Sequence, residues 1–295
     1  MNVIYSDTFL LHDMGPSHPE SPERLRAIMD YLKGRIEFAT LEPLKVRDED
    51  LLIVHDPDYI EKLKQLSATG ATFPDNIFSR DTFNIAKLAA GGALRAAIEC
   101  FNDFSFALVR PPGHHAGRAS FAGFCYLNNI AFAVKSIQKM GKSKRAMIID
   151  IDVHDGNGTH DIFKDDKSVF YLSFHQDPSA FYPYAGFEDE NSDHVRNVLF
   201  SPGAKDDEYI RKFKSNLKEC VSSFRPDLIG ISTGFDTYRD DPLGGLSISS
   251  PHTYFKLGKI ISALKLPTFA VLEGGYCIEK LGENAWELSK AFLEK

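Results

Sequence analysis

With 295 residues, 43% of them hydrophobic, the chain is long enough to bury a large α/β core. A net charge of −7 without a long Lys/Arg run argues against direct nucleic-acid binding, and no apolar run is long enough to span a membrane. Cys100, Cys125, Cys220 and Cys277 form no C-x-x-C pair, which excludes a cysteine zinc cluster; with no signal-peptide pattern at the start, this predicts a reducing, cytoplasmic setting.

Val3-Ile4-Tyr5 reads as a short first strand, followed by a Pro- and His-containing loop over 13–22. Residues 23–32 carry helical spacing at Leu25, Ile28, Met29 and Leu32, with Ser21 as cap and Pro22 at the first helical position. Helical pieces are expected over 48–66, broken at Asp56-Pro57, and a loop over 70–81. In the helix expected over 83–101, Ala89-Ala90-Gly91-Gly92-Ala93 predicts close helix–sheet contact, since no G-x-G-x-x-G follows a strand. Phe106-Ala107-Leu108-Val109 is a buried strand running into Arg110-Pro111-Pro112-Gly113-His114-His115. A helix over 127–140 leads to the apolar run Ala146-Met147-Ile148-Ile149. Strands follow over 169–174, 228–232 and 268–272, with helices over 208–224, from Ser250-Pro251 onward, and at the C-terminus. Residues 176–207 read as a long surface loop with an acidic cluster at Glu188-Asp189-Glu190. This alternation predicts one domain over 1–295, an α/β fold with a doubly wound, mostly parallel sheet and helices on both faces.

Polar clusters fall where the apolar runs end: His114-His115, Asp150 to Asn157, Asp236, and Gly274-Gly275-Tyr276. Taken alone, each is ordinary turn chemistry, and Asp150-Ile151-Asp152-Val153-His154-Asp155-Gly156-Asn157-Gly158-Thr159 would be a solvated loop. Parallel strands, however, bring their carboxyl ends to one edge of a sheet, where ligands bind. On an extended backbone Asp152 and His154 point the same way, and Asp150 shares their face. Asp236 then completes Asp152 and His154 as a three-ligand zinc site with open positions for water and substrate.

The chain resembles the histone deacetylase, acetylpolyamine amidohydrolase and acetoin-utilisation protein family, with its arginase-like α/β fold. The resemblance rests on His18-Pro19-Glu20-Ser21-Pro22-Glu23-Arg24, Arg110 to Ala116, Gly123-Phe124-Cys125-Tyr126-Leu127-Asn128-Asn129, the stretch from Asp150 to Thr159, Gly234-Phe235-Asp236 with Asp240-Asp241-Pro242-Leu243-Gly244, and Glu273-Gly274-Gly275-Tyr276. These pieces span nearly the whole chain in the family's order, and their wording is nearer to class II members. The resemblance implies Zn²⁺ on Asp152, His154 and Asp236, with Tyr276 as the hydroxyl donor to the oxyanion. It implies His114 and His115 as the pair beside the attacking water, His115 as base and acid, with Asp150 behind His114 and Asn157 behind His115. It further implies a channel flanked by Phe124 and Tyr182 with Leu243 along the wall, and a substrate amide bonded to the Gly123 carbonyl. A K⁺ ion beneath the zinc would involve Asp150, Asp152, His154, Ser173 and Phe174. For Phe124 and Leu243, plain core packing is the competing reading.

Some positions depart from or refine the family pattern. Asp155 stands where many members have a second histidine, and Asn157 where class I members have Asp. The acid that anchors the substrate backbone is Asp75 or Asp81. Tyr238, two residues after Asp236, disfavours a two-manganese guanidine hydrolase. The function expected is zinc-dependent removal of acetyl or other acyl groups from an amine, first of all N-acetyl-lysine of a protein. A small acetylated amine such as an acetylpolyamine is the alternative substrate. A silent acyl-lysine binding module is a third reading, against which stand Tyr276 and the full ligand set.

Overall fold

Short apolar runs without polar interruption suit strands buried on both faces, and here they form the middle of one parallel sheet. The computed structural model describes residues 1–33, 35 and 38–294. The first half comprises β1 (Asn2–Ile4), α1 (Glu23–Lys33), β2 (Ala39–Leu41), α2 (Asp48–Leu51), α3 (Pro57–Thr69), α4 (Thr82–Glu99), β3 (Ser105–Ala107) and α5 (Asn129–Lys139). The second comprises β4 (Ala146–Asp150), α6 (Asn157–Phe163), β5 (Val169–Gln176), β6 (Val195–Phe200), α7 (Asp206–Phe224), β7 (Leu228–Thr233), α8 (His252–Ser262), β8 (Thr268–Leu272) and α9 (Ile278–Leu293). The eight strands lie in the order β2-β1-β3-β8-β7-β4-β5-β6, and every pairing is parallel. Helices cover the sheet in two groups: α4 packs on α5, and α9 packs on both α1 and α8. No helix among the described residues is long and apolar enough to cross a membrane.

Four departures from the sequence reading have physical causes. The expected loop over 176–207 contains β6, whose Val195, Asn197 and Val198 are buried beside β5, so tertiary pairing overrides a weak local signal. β2 went unread because it is three residues long and mostly exposed. The Asp150 to Thr159 stretch is not all loop, since α6 begins at Asn157. Of the glycine pair in α4, Gly92 faces Val109 and Ile4 at the sheet, whereas Gly91 meets the backbone at Leu44 and accepts its N–H at 3.2 Å.

Strands β3, β8, β7, β4 and β5 are consecutive neighbours, so their carboxyl ends form one continuous edge. Asp150 is registered with Ser232 on one side and Ser173 on the other. This edge carries the polar clusters.

Candidate active site

Beyond Asp150 the chain leaves β4 and bends through residues 152–154. The expectation that strand alternation aligns Asp152 with His154 is therefore corrected: a bend past the strand end brings them together. Asp152 Oδ1 accepts the His154 backbone N–H at 3.0 Å and lies 2.9 Å from His154 Nδ1. Asp236 arrives from the end of β7. Its Oδ1 accepts the Val153 N–H at 2.9 Å, while Oδ2 lies 3.3 Å from His154 Nδ1, buried and without a hydrogen bond. Ligand atoms of Asp152, His154 and Asp236 all lie within 4.8 Å of one another. A Cβ at Gly234 would come 2.1 Å from Asp152 Oδ2, so only glycine lets β7 leave the sheet this close to the carboxylate.

The electrostatics describe a cation site. Burial and the neighbouring Asp152 charge push the Asp236 carboxyl up to about 7. Burial disfavours charge on His154, but its bond to Asp152 and the nearby Asp236 carboxylate prevail and bring it up to about 10. Two buried carboxylates and an imidazole aimed at one point, one oxygen unpartnered, fit a divalent metal of the zinc type.

Next to this cluster the His114 and His115 rings lie 4.0 Å apart. Glu273, at the end of β8, accepts the backbone N–H groups of Gly113 and His114 at 2.7 and 3.0 Å, which fastens the pair's backbone. His114 Nδ1 is 3.1 Å from Asp150 Oδ2, and His115 Nδ1 is 2.8 Å from Asn157 Oδ1. An amide oxygen only accepts, so the His115 proton sits on Nδ1 and Nε2 is left able to take a proton. Burial opposes charge on His114, but Asp152 and Asp150 outweigh it and hold its pKa well above the ordinary value. For His115, burial and then the charges of His114 and His154 act together, and its pKa falls well below the ordinary value.

Tyr276 is held in three ways. Its backbone N–H donates to Asp241 Oδ2 at 2.5 Å, Arg24 lies 4.8 Å over its ring, and the Phe124 ring meets it edge-on at 6.0 Å. Arg24 also donates to the Gly275 carbonyl at 2.7 Å and to the Glu273 carbonyl. Glu20 ties Arg24 to Arg110, accepting from Arg110 Nε at 2.5 Å and Nη2 at 2.8 Å, with all three side chains fully buried. Burial would raise the Glu20 pKa, but Arg110 and Arg24 hold it down at about 2. Glu20, Arg24, Arg110, Asp241 and Glu273 lie in the family motifs, but the sequence signals only charge inside a motif and no role, because their partners are remote in the chain.

Above these groups opens a cavity of about 380 Å³. Phe124, Tyr182 and Leu243 all line it, as does Gly123. Gly123 and Phe124 have φ of +50° and +68°, and a Cβ at Gly123 would lie 2.3 Å from His115 Cδ2, so the turn needs glycine there. The sequence reading missed Phe181, whose ring stacks on His154 at 5.0 Å, while Tyr182 meets His115 edge-on at 5.1 Å. Asp75 lines the cavity, whereas Asp81 sits at the start of α4 away from it. Of the residues expected around a monovalent cation, Asp150 and Ser173 are registered neighbours, Ser173 Oγ contacts His175 Nδ1 at 2.7 Å, and the Phe174 carbonyl faces the Tyr209 hydroxyl at 3.4 Å.

A parallel α/β sheet with a carboxylate–imidazole cluster, a histidine pair and a tyrosine at one strand edge is the arrangement of a hydrolase. Residues 18–292 match the histone deacetylase domain, and the chain belongs to that family, a family of zinc-dependent deacetylases in general. It is 36% identical to a probable deacetylase of Methanothermobacter thermautotrophicus over 293 residues, covering 96% of this chain and 88% of that one. It is 38% identical to acetylpolyamine amidohydrolase 1 of Pseudomonas aeruginosa, covering 97% and 96% of the two chains. The crystal structure of the HDA15 HD domain superposes with a TM-score of 0.94 at 33% identity, covering all (100%) of this chain and 91% of that one.

Proposed function

We propose that residues 1–295 form one catalytic unit, a zinc-dependent deacetylase acting on N-acetyl-lysine of a protein. The observation that supports this most is the convergence of Asp152, His154 and Asp236 with the histidine pair and Tyr276 at the floor of an aromatic-walled cavity. A zinc ion held by those three residues would polarise the acetyl carbonyl as a Lewis acid and acidify the attacking water, whose pKa near zinc is about 7. His115 takes the proton from that water through Nε2 and afterwards delivers it to the departing amine. The Tyr276 hydroxyl donates to the oxygen on which negative charge develops. His114, kept protonated by Asp150 and Asp152, lends positive charge beside the reacting centre. Asp150, Ser173 and Phe174 are the residues we assign to a K⁺ ion beneath this floor, together with Asp152 and His154.

The acyl-lysine stem runs between Phe124 and Tyr182, past Leu243, with its amide N–H on the Gly123 carbonyl. Asp75 accepts from the substrate backbone at the mouth. Leu243 favours a lysine stem over a polyamine, whose second ammonium gains nothing from an apolar wall. A small acetylated amine is the second reading, on the strength of the likeness to an acetylpolyamine amidohydrolase. The deciding experiment compares kcat/KM on an acetyl-lysine peptide with that on acetylputrescine and acetylated spermidine, using protein loaded with one equivalent of zinc. The peptide should be preferred; a preference for the polyamines would assign the second reading, and no metal-dependent turnover on any of the three would remove both.

A further inference from the structure

Behind the histidine pair lies a carboxylate that the chemistry above does not use. Asp155 is 1% exposed, and its Oδ2 has no hydrogen-bond partner. Its Oδ1 lies 3.2 Å from the Tyr171 hydroxyl, which in turn lies 3.3 Å from Asp150 Oδ2. That same Asp150 oxygen holds His114 Nδ1 at 3.1 Å. The Gly156 N–H donates to the Tyr171 oxygen at 2.9 Å, so the hydroxyl has one proton to give and two carboxylates to receive it. Burial, with Asp155 and Asp150 beside it, raises the Tyr171 pKa well above the ordinary value, so the hydroxyl keeps its proton. His175 is engaged elsewhere: its Nδ1 is 3.9 Å from Asp155 and contacts Ser173 Oγ at 2.7 Å, and its Nε2 donates to the Gly186 carbonyl at 2.9 Å.

We propose that Asp155 is a positioning residue for deacetylation: by taking the Tyr171 proton it leaves Asp150 Oδ2 to His114 alone. The proposal rests on the deacetylase reading above. Its physical basis is competition between acceptors. A carboxylate oxygen that already receives a hydroxyl proton is a weaker acceptor for the His114 N–H, and inside a protein that weakening is not masked by water. With a carboxylate at position 155, the Tyr171 hydroxyl turns toward it. With a neutral amide in its place, the proton swings to Asp150 and loosens the grip on His114. Tyr171→Phe removes the contested proton altogether.

The test is a double-mutant cycle of Asp155→Asn and Tyr171→Phe, with zinc content equalised and an acetyl-lysine peptide as substrate. Asp155→Asn should lower kcat on the order of tenfold with KM unchanged, the loss of part of one charge-assisted hydrogen bond. In the Tyr171→Phe background the same substitution should change kcat by less than about twofold. The downfield proton resonance of His114 Nδ1–H, read with and without zinc, should move upfield in Asp155→Asn and stay put between Tyr171→Phe and the double variant. Equal slowing in both backgrounds, a change in thermal stability without a change in kcat, or loss of zinc from Asp155→Asn alone would each overturn the proposal. If Asp155→Asn does not fold, Asp155→Ser enters the same cycle. A wild type lacking metal-dependent activity removes the deacetylase reading and this proposal with it, whereas an active wild type with an additive cycle removes this proposal alone.

Discussion

Replacing Tyr276 by Phe isolates one atom. Among the described residues no hydrogen bond reaches the Tyr276 hydroxyl, and the ring borders the cavity. The ring is fixed by contacts that the variant keeps: the backbone bond to Asp241 at 2.5 Å, Arg24 over its face at 4.8 Å and the Phe124 edge at 6.0 Å. The substitution therefore leaves no buried partner unsatisfied, and the stability of the fold should change by less than about 1 kcal/mol. A single donor aimed at developing negative charge is worth about 3 to 4 kcal/mol in the transition state, so kcat should fall by about 10²–10³. KM should hold, because that charge is absent from the bound substrate. Steady-state rates on an acetyl-lysine peptide, with a melting curve for each protein, give both numbers. A variant retaining more than about a third of wild-type kcat would refute the oxyanion role and reduce Tyr276 to a wall residue.

The metal set predicts that chelation abolishes turnover and that one equivalent of Zn²⁺ restores it. Asp236→Asn should weaken zinc binding, an amide being the poorer ligand, and full activity in protein shown to be free of metal would refute this. With Asn157 2.8 Å from His115, Asn157→Asp should raise the basicity of His115 and move the acidic limb of kcat/KM to higher pH. An acidic limb that stays put would show that Asn157 does not tune the base. His115→Ala should cost more of the chemical step than His114→Ala, as single-turnover rates will show. Glu20→Gln breaks a buried pairing with two arginines and should destabilise the fold by about 3 kcal/mol or more in urea titrations at neutral pH. Because Glu20 is held at about 2, below its unfolded value, that contribution is complete above the unfolded pKa and is lost as pH falls through 2. The gap between wild type and variant should therefore narrow as pH drops from about 4 toward 2, and a constant gap would show that the Glu20 charge is not what stabilises.

Much of the active edge was legible in the sequence because it depends on local order. A buried run such as Ala146 to Ile149 announces a strand by its own composition, and parallel strands leave no choice about which ends meet. That is why Asp152, His154 and Asp236 could be grouped although Asp236 lies far along the chain. The histidine pair and Tyr276 followed by the same rule, and the family motifs supplied roles that spacing alone does not. What stayed hidden depends on distance through space. Phe181 stacks on His154 from a loop with no periodic pattern, and β6 exists because β5 offers it an edge. Glu20, Arg24 and Arg110 read as ordinary charges until the fold buries them, and only enclosure makes their mutual pairing obligatory. That Asp75 lines the cavity and Asp81 does not has no local signal, and the bend at residues 152–154 replaced the strand alternation that local geometry suggested. Chain order thus determined which residues stand at the reactive edge. The tertiary structure decided what each of them faces, because hydrogen bonding and desolvation are set by neighbours in space.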